Sequence, residues 1–231
     1  FGGDPVRTDY QGKKFDPDHE GHWGWRADEI LNSMTGWLTK YTPDMVLFHI
    51  GTNDCIQGQT TASTQNELTQ IVTKLRSDNP RVVIFMATLI PCNASASATS
   101  NVNDLNNKIK TLVGQLNTEA SPVILVDQNT GINASSDLYD GIHPGPTGEE
   151  KMAQKWFDAI SKYLSATPVF EKTIQQPTVL SPATSARHQA EVVFPQKNCS
   201  KGTTGGMSDL QGKQVGKRAG DGAAGVFILS K

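Results

Sequence analysis

Three short apolar runs punctuate the chain: Met45 to Ile50 (MVLFHI), Val82 to Ala87 (VVIFMA) and Val123 to Val126 (VILV). Each is bounded by polar or turn residues, and none alternates apolar with polar. Continuous runs of this length predict parallel strands covered on both faces. Around them, apolar residues recur at helical spacing. Ile30, Leu31, Met34 and Leu38 predict one helix, and Leu68, Ile71, Val72 and Leu75 a second. Leu105, Ile109, Leu112 and Leu116 predict a third, and Met152, Trp156, Ile160 and Leu164 a fourth. The fourth follows Pro144 and Pro146 and opens on Thr147 and Glu150, the spacing of a capping box. Helices and strands therefore alternate, which predicts an α/β fold with a parallel sheet, helices on both faces and right-handed crossovers.

Three strands make a small sheet for this architecture, so further strands are expected before residue 1. From about Thr167 the periodicity stops. Residues 168–231 are rich in Gly, Ser, Thr, Gln and Lys, with apolar stretches only at 190–194 and 226–229. This divides the chain into a folded domain, 1–166, and a disordered low-complexity tail or linker, 167–231, which is expected to be mobile and dispensable.

Composition narrows the partners. The chain of 231 residues carries a net charge of -2, with 36% hydrophobic and 19% charged residues. No basic field exists to attract nucleic acid. No apolar run approaches the ~18 residues needed to span a bilayer. Phe1 is preceded by no initiator Met or leader, so the chain is expected to be a fragment or a processed form. The cysteines, Cys55, Cys92 and Cys199, make neither a disulfide framework nor a zinc-site spacing. Cys55 and Cys92 each follow a strand end on one rim of the sheet, close enough for a disulfide. Asn93, Asn133 and Asn198 head N-x-S triplets and are candidate glycosylation sites. Together these features predict a secreted, extracellular protein.

Sites in open α/β sheets gather beyond the carboxyl ends of the strands. After the first apolar run comes Gly51-Thr52-Asn53-Asp54. After the third, past a loop, comes Asp140-Gly141-Ile142-His143-Pro144, and before the first helix lies Asp18-His19-Glu20-Gly21-His22-Trp23-Gly24-Trp25. Asp140 and His143 are spaced so that the carboxylate can orient the imidazole, the pairing of a general base. Asn53 can offer a side-chain N–H, and Gly24 an unobstructed backbone N–H, to a developing oxyanion. These are parts of an acyl-transfer site that lacks its nucleophile.

In that order, Gly24, GTND at 51–54 and DGIHP at 140–144 resemble blocks II, III and V of the GDSL/SGNH hydrolases. The stretch DHEGHWGW at 18–25 is similar to block II of the family 3 carbohydrate esterases, the acetylxylan esterases. The resemblance covers roughly residues 1–165. It implies a flavodoxin-like three-layer α/β/α sandwich and a serine esterase that deacetylates plant cell-wall polysaccharide or related carbohydrate esters, without cofactor or catalytic metal. It also implies that Gly24 and Asn53 are oxyanion donors, His143 the base and Asp140 its orienting acid. The partner expected is a carbohydrate ester, and the full-length protein is expected to be a monomer.

Two departures matter. The serine-bearing first block has no counterpart; no serine precedes Ser33. The chain alone is therefore expected to lack esterase activity, and Met45–Ile50 is expected to lie as an exposed apolar edge. Trp23 stands where a small residue, often serine, is expected before the block II glycine, so it is expected to reshape the acyl pocket and bear on substrate size.

Competing readings remain at several positions. Asp16, Asp18, His19, Glu20 and His22 form a polar loop in preference to a metal site, since their spacing matches no zinc motif. His49 reads as a core or sheet-end residue, Trp37 as core, and Trp25 as a candidate for lining a sugar cleft. The absent serine also leaves a rival function, a catalytically inactive carbohydrate-binding or surface protein on the same fold.

Overall fold

The computed structural model describes residues 19–166 and 223–229. In chain order the elements are β1 (Glu20–Trp23), α1 (Ala27–Leu38), β2 (Met45–His49), α2 (Thr52–Gln57), α3 (Thr61–Asp78), β3 (Val83–Ala87), α4 (Ala96–Leu116), β4 (Val123–Val126), α5 (Pro146–Ala166) and β5 (Ala223–Leu229). The three apolar runs become β2, β3 and β4, which pair in parallel with Met45 opposite Val83 and Ile84 opposite Val123.

Their lack of alternation has a plain cause: both faces of the sheet are covered. Val46, Phe48, Ile84 and Met86 point into a layer built by Ile30 and Met34 of α1, Leu68, Ile71 and Leu75 of α3, and Leu105 and Ile109 of α4. The residues between them, Leu47, Phe85 and Ala87, point the other way, onto Trp156, Ile160 and Tyr163 of α5. The result is the three-layer α/β/α arrangement. Each fully buried Phe, Ile or Leu contributes ~1.5–3 kcal/mol of transfer free energy, so this double-sided packing anchors the strand ends that carry the site.

Local chemistry sets the helix starts. The Thr60 hydroxyl accepts from Ser63 N–H at 3.2 Å, and Ser95 accepts from Ala98 N–H at 3.1 Å, capping α3 and α4. The capping box expected at Thr147 and Glu150 does not form. α5 already begins at Pro146, and the first-turn bond runs from Glu149 N–H to Gly145 O at 2.8 Å. Proline's fixed φ and missing N–H suit the first helical position, which places Thr147 inside the first turn.

The larger corrections concern the sheet. Among the described residues it has five strands, in the order β1-β5-β2-β3-β4. The segment around residue 20, read as a loop, contributes β1, because Glu20 and Gly21 pair with Val226 and Gly225. Residues 223–229, read as part of a disordered tail, form β5. It runs antiparallel to both neighbours, from Leu229 opposite Met45 to Gly225 opposite His49, and from Glu20 opposite Val226 to Trp23 opposite Ala223. The edge of β2 is therefore not exposed. The apolar stretch at 226–229 satisfies the unpaired N–H and C=O groups that such an edge would present. Residues 167–222 lie outside the described residues.

Candidate active site

The carboxyl ends of β1, β2, β3 and β4 face one rim. There, β4 feeds a loop whose Leu138 and Pro144 are bridged, and Tyr139 N–H donates to His143 O at 3.1 Å. Within this pinched loop the Asp140 carboxylate has three partners. Its Oδ1 accepts from the backbone N–H groups of Ile142 (3.0 Å) and His143 (2.8 Å), and its Oδ2 lies 2.6 Å from His143 Nδ1. Burial pushes the Asp140 carboxyl up, but these bonds and the nearby imidazole outweigh it and hold the group below the usual carboxylate range. An ionised Asp140 fixes the ring with Nδ1 as donor, which leaves Nε2 as the basic nitrogen. Nε2 is buried and has no hydrogen-bond partner among the described residues.

The turn requires Gly141. Its φ is +83°, and a Cβ there would come 3.3 Å from Asn93 Cβ, while Asn93 N–H donates to Gly141 O at 2.7 Å. Gly141→Ala is expected to cost about 1–2 kcal/mol for the left-handed backbone, and more if the Asn93 contact is lost. Urea unfolding checks this, and a cost under about 0.5 kcal/mol would contradict the geometry.

On the β2 side, Gly51 starts α2 at φ +126°, where a Cβ would meet Leu105 Cδ2 at 2.6 Å. Asn53 follows in the first turn, fully buried. Its Nδ2 donates to Trp25 O at 2.7 Å, which leaves the second amide hydrogen for another acceptor. Gln57 Nε2 donates to Gly24 O at 2.9 Å, so the successive carbonyls of Gly24 and Trp25 are both tied to α2. Asp54 anchors the start of α1 to α3. Its carboxylate accepts from Ala27 N–H (3.2 Å) and the Thr64 hydroxyl (3.1 Å). Burial raises its pKa to about 6 although those bonds pull the other way.

Sequence reasoning missed this bracing by Asp54 and Gln57. It also missed Tyr139, whose ring lies parallel to His143 with centroids 5.5 Å apart. Trp23 is parallel to the same imidazole at 5.1 Å and 4°. The structure thus brings Gly24, Asn53, Asp140 and His143 to one rim: Trp23 links Gly24 to His143, and Trp25 links it to Asn53.

Trp25 is partly buried against the core. It stacks on His22 at 4.1 Å, and His22 stacks on Trp37 at 5.0 Å. This set packs against the core under α1. His22 Nε2 lies 3.1 Å from the buried Glu20 carboxylate, which also accepts from Tyr41 OH at 2.9 Å. Those contacts account for Glu20 and His22, and among the described residues no group of three or more His, Cys, Asp or Glu could hold a metal ion. Asp16 and Asp18 lie outside the described residues.

The expected bond between Cys55 and Cys92 is not formed. Both are free, buried thiols. Burial pushes Cys55 up to about 12 and raises Cys92 too, so both stay protonated. Asn93 and Asn133 are exposed, while Asn198 and Cys199 lie outside the described residues. Ser33, inside α1, donates its hydroxyl to Glu29 O at 3.0 Å.

His49 closes β2 as a buried residue with Nε2 unpartnered, and burial lowers its pKa to about 4. A depressed folded-state pKa means that its contribution is fully present above ~6.5 and is lost as pH falls toward about 4. Stability should therefore drop by roughly 3 kcal/mol over that window, and His49→Leu should flatten the drop in denaturant titrations. An unchanged acid limb would refute the assignment.

The GDSL-like lipase/acylhydrolase family model matches residues 6–151, more than half of the chain. The chain belongs to this family. It is 32% identical over 194 residues to a multidomain esterase of Ruminococcus flavefaciens, a match covering 77% of this chain. The chain spans only 25% of that relative's length. Among solved structures, a carbohydrate esterase family 3 protein from Talaromyces cellulolyticus is 31% identical, with a TM-score of 0.63 over 71% of this chain and 78% of that one. An acetyl esterase mutant crystallised with acetate ion is 32% identical, with a TM-score of 0.62 over 70% and 77%. The family membership makes this an esterase/acylhydrolase fold with carbohydrate esterases among its neighbours. Among the described residues, no helix is long and apolar enough to cross a membrane.

Proposed function

We propose that this domain belongs to a secreted serine esterase that removes acetyl groups from cell-wall polysaccharide or related carbohydrate esters. The observation that carries the reading is the Asp140–His143 pair, 2.6 Å apart, with Nε2 unpartnered on the same rim as Asn53 and Gly24. In this reading the nucleophile is a serine supplied from outside the described residues.

The serine hydroxyl attacks the ester carbonyl while His143 Nε2 takes its proton. Asp140 holds the ring and stabilises the imidazolium. Asn53, through its second amide N–H, and Gly24, through its backbone N–H, meet the oxyanion. His143 then gives the proton to the leaving sugar oxygen, and water repeats the sequence on the acyl-enzyme. The relatives named above support the carbohydrate class, and the sequons at Asn93, Asn133 and Asn198 support secretion.

The rival reading is a carbohydrate-binding protein without turnover, and it rests on the absence of any serine before Ser33. One experiment separates the two. Residues 1–231 are assayed on acetylated xylo-oligosaccharides beside a version carrying a serine-bearing strand ahead of residue 1. Activity in the longer protein alone supports the esterase. Absence of activity in both supports the binding protein. Activity in the short chain that disappears on His143→Ala would mean that a nucleophile lies within these 231 residues.

A further inference from the structure

We infer that Trp23 and Tyr139 form a platform for the sugar ring that carries the scissile ester, on the leaving-group side of His143. This rests on the function proposed above and adds the subsite that selects a sugar.

Trp23 and Tyr139 keep 37% and 51% of their surface in solvent, and both stand beside His143. Their neighbours Trp25 and Trp37 are instead packed together through His22. An indole and a phenol held in water at the mouth of a site sacrifice burial that a merely structural role would have favoured.

Orientation adds to this. Both rings lie nearly parallel to the imidazole of His143, at 4° and 12°, with centroids 5.1 and 5.5 Å away. Rings at that separation and angle are offset stacks, so they extend the imidazole plane's surroundings as flat apolar surface. The backbone beneath each ring is set: Trp23 ends β1 beside the φ +76° turn at Gly24, and Tyr139 N–H donates to His143 O.

Reach then decides what touches them. A proton passes from Nε2 to the leaving oxygen only within about 2.6–3.2 Å. The pyranose bonded to that oxygen therefore has to lie within a few ångströms of the imidazole, where the adjoining surfaces are these two aromatic rings. A pyranose presents axial C–H groups on its faces and hydroxyls around its rim. The C–H face matches an aromatic plane, and the rim hydroxyls remain available to the Tyr139 hydroxyl and to water. The acyl group sits on the other side, toward Asn53 and Gly24, so the platform selects the alcohol and not the acid. Trp23 in place of a small residue thus gives the leaving-group side a surface.

The test uses binding, which needs no turnover. The 231-residue chain is titrated with xylotetraose while the indole N–H resonances are followed by NMR. Trp23→Ala and Tyr139→Ala are each expected to weaken binding about tenfold or more, and Trp23→Phe to restore most of it, since a flat apolar ring remains. In the serine-bearing esterase, Trp23→Ala should lower kcat/KM on acetylated xylo-oligosaccharides relative to ethyl acetate by about the same factor. If the two variants bind xylotetraose as tightly as the parent, or lose both esters in equal proportion, the platform is wrong while the esterase reading stands. If the esterase hydrolyses ethyl acetate but no acetylated oligosaccharide, the carbohydrate reading falls and the platform with it.

Discussion

In the serine-bearing esterase, His143→Ala is expected to reduce acetyl ester hydrolysis by about 10⁴-fold or more. Asn53→Ala is expected to reduce it by ~10²–10³-fold. The difference follows from the role proposed for each group. His143 Nε2 moves a proton in both half-reactions, and it has no partner among the described residues that could take over. Asn53 supplies one of several oxyanion donors, so Gly24 and the serine's own N–H retain part of the hole. The Asn53 variant has a second cost: its Nδ2 bond to Trp25 O, at 2.7 Å, also disappears. Asn53→Asp loses both contributions as well. It keeps the side-chain shape but presents acceptors where the donor stood, so it should lose at least as much as the alanine. Initial rates on an aryl acetate and on an acetylated oligosaccharide check all three variants. A loss under about tenfold for both His143→Ala and Asn53→Ala would overturn the site assignment.

The site residues were legible in the sequence because each sits immediately after an element with a strong local signal. Asn53 follows a continuous apolar strand, and Asp140 and His143 precede a helix marked by two prolines. Their mutual contact needs only three residues of spacing and a glycine able to take φ +83°. What was not legible depends on contacts distant in sequence. Glu20–Trp23 has no strand pattern of its own, since its one large apolar residue is Trp23. It is a strand because of residues about two hundred positions later. The free thiols illustrate the same limit. Two residues that follow neighbouring strands share a rim, yet strand adjacency alone does not orient their Sγ atoms. Tyr139 was missed because an aromatic in a polar loop carries no periodicity to mark it.

Deleting residues 223–229 is expected to destabilise the domain by on the order of 5 kcal/mol and to drive association. β5 is not peripheral: it stands inside the sheet, pairing five positions with β2 and four with β1. Without it β2 becomes an open edge of buried apolar residues, the arrangement most prone to pairing with another chain. β1 also loses its strand partner. Since β1 delivers Trp23 and Gly24 to the rim, the oxyanion side of the site should loosen before the Asp140–His143 loop does. That loop is held by Asn93 N–H, in the segment after β3, donating to Gly141 O, and by its own bond from Tyr139 N–H to His143 O. A shortened chain ending near Ala166 should therefore show a lower melting temperature, larger species in sedimentation and fast amide exchange at residues 20–24. Proline at Val226 tests the same point with the chain length kept, because it removes a ladder N–H and cannot be accommodated between two strands. If the shortened chain and the Val226→Pro variant both remain monomeric with unchanged melting, β5 does not hold the sheet together, and the tail is as dispensable as its composition alone suggests.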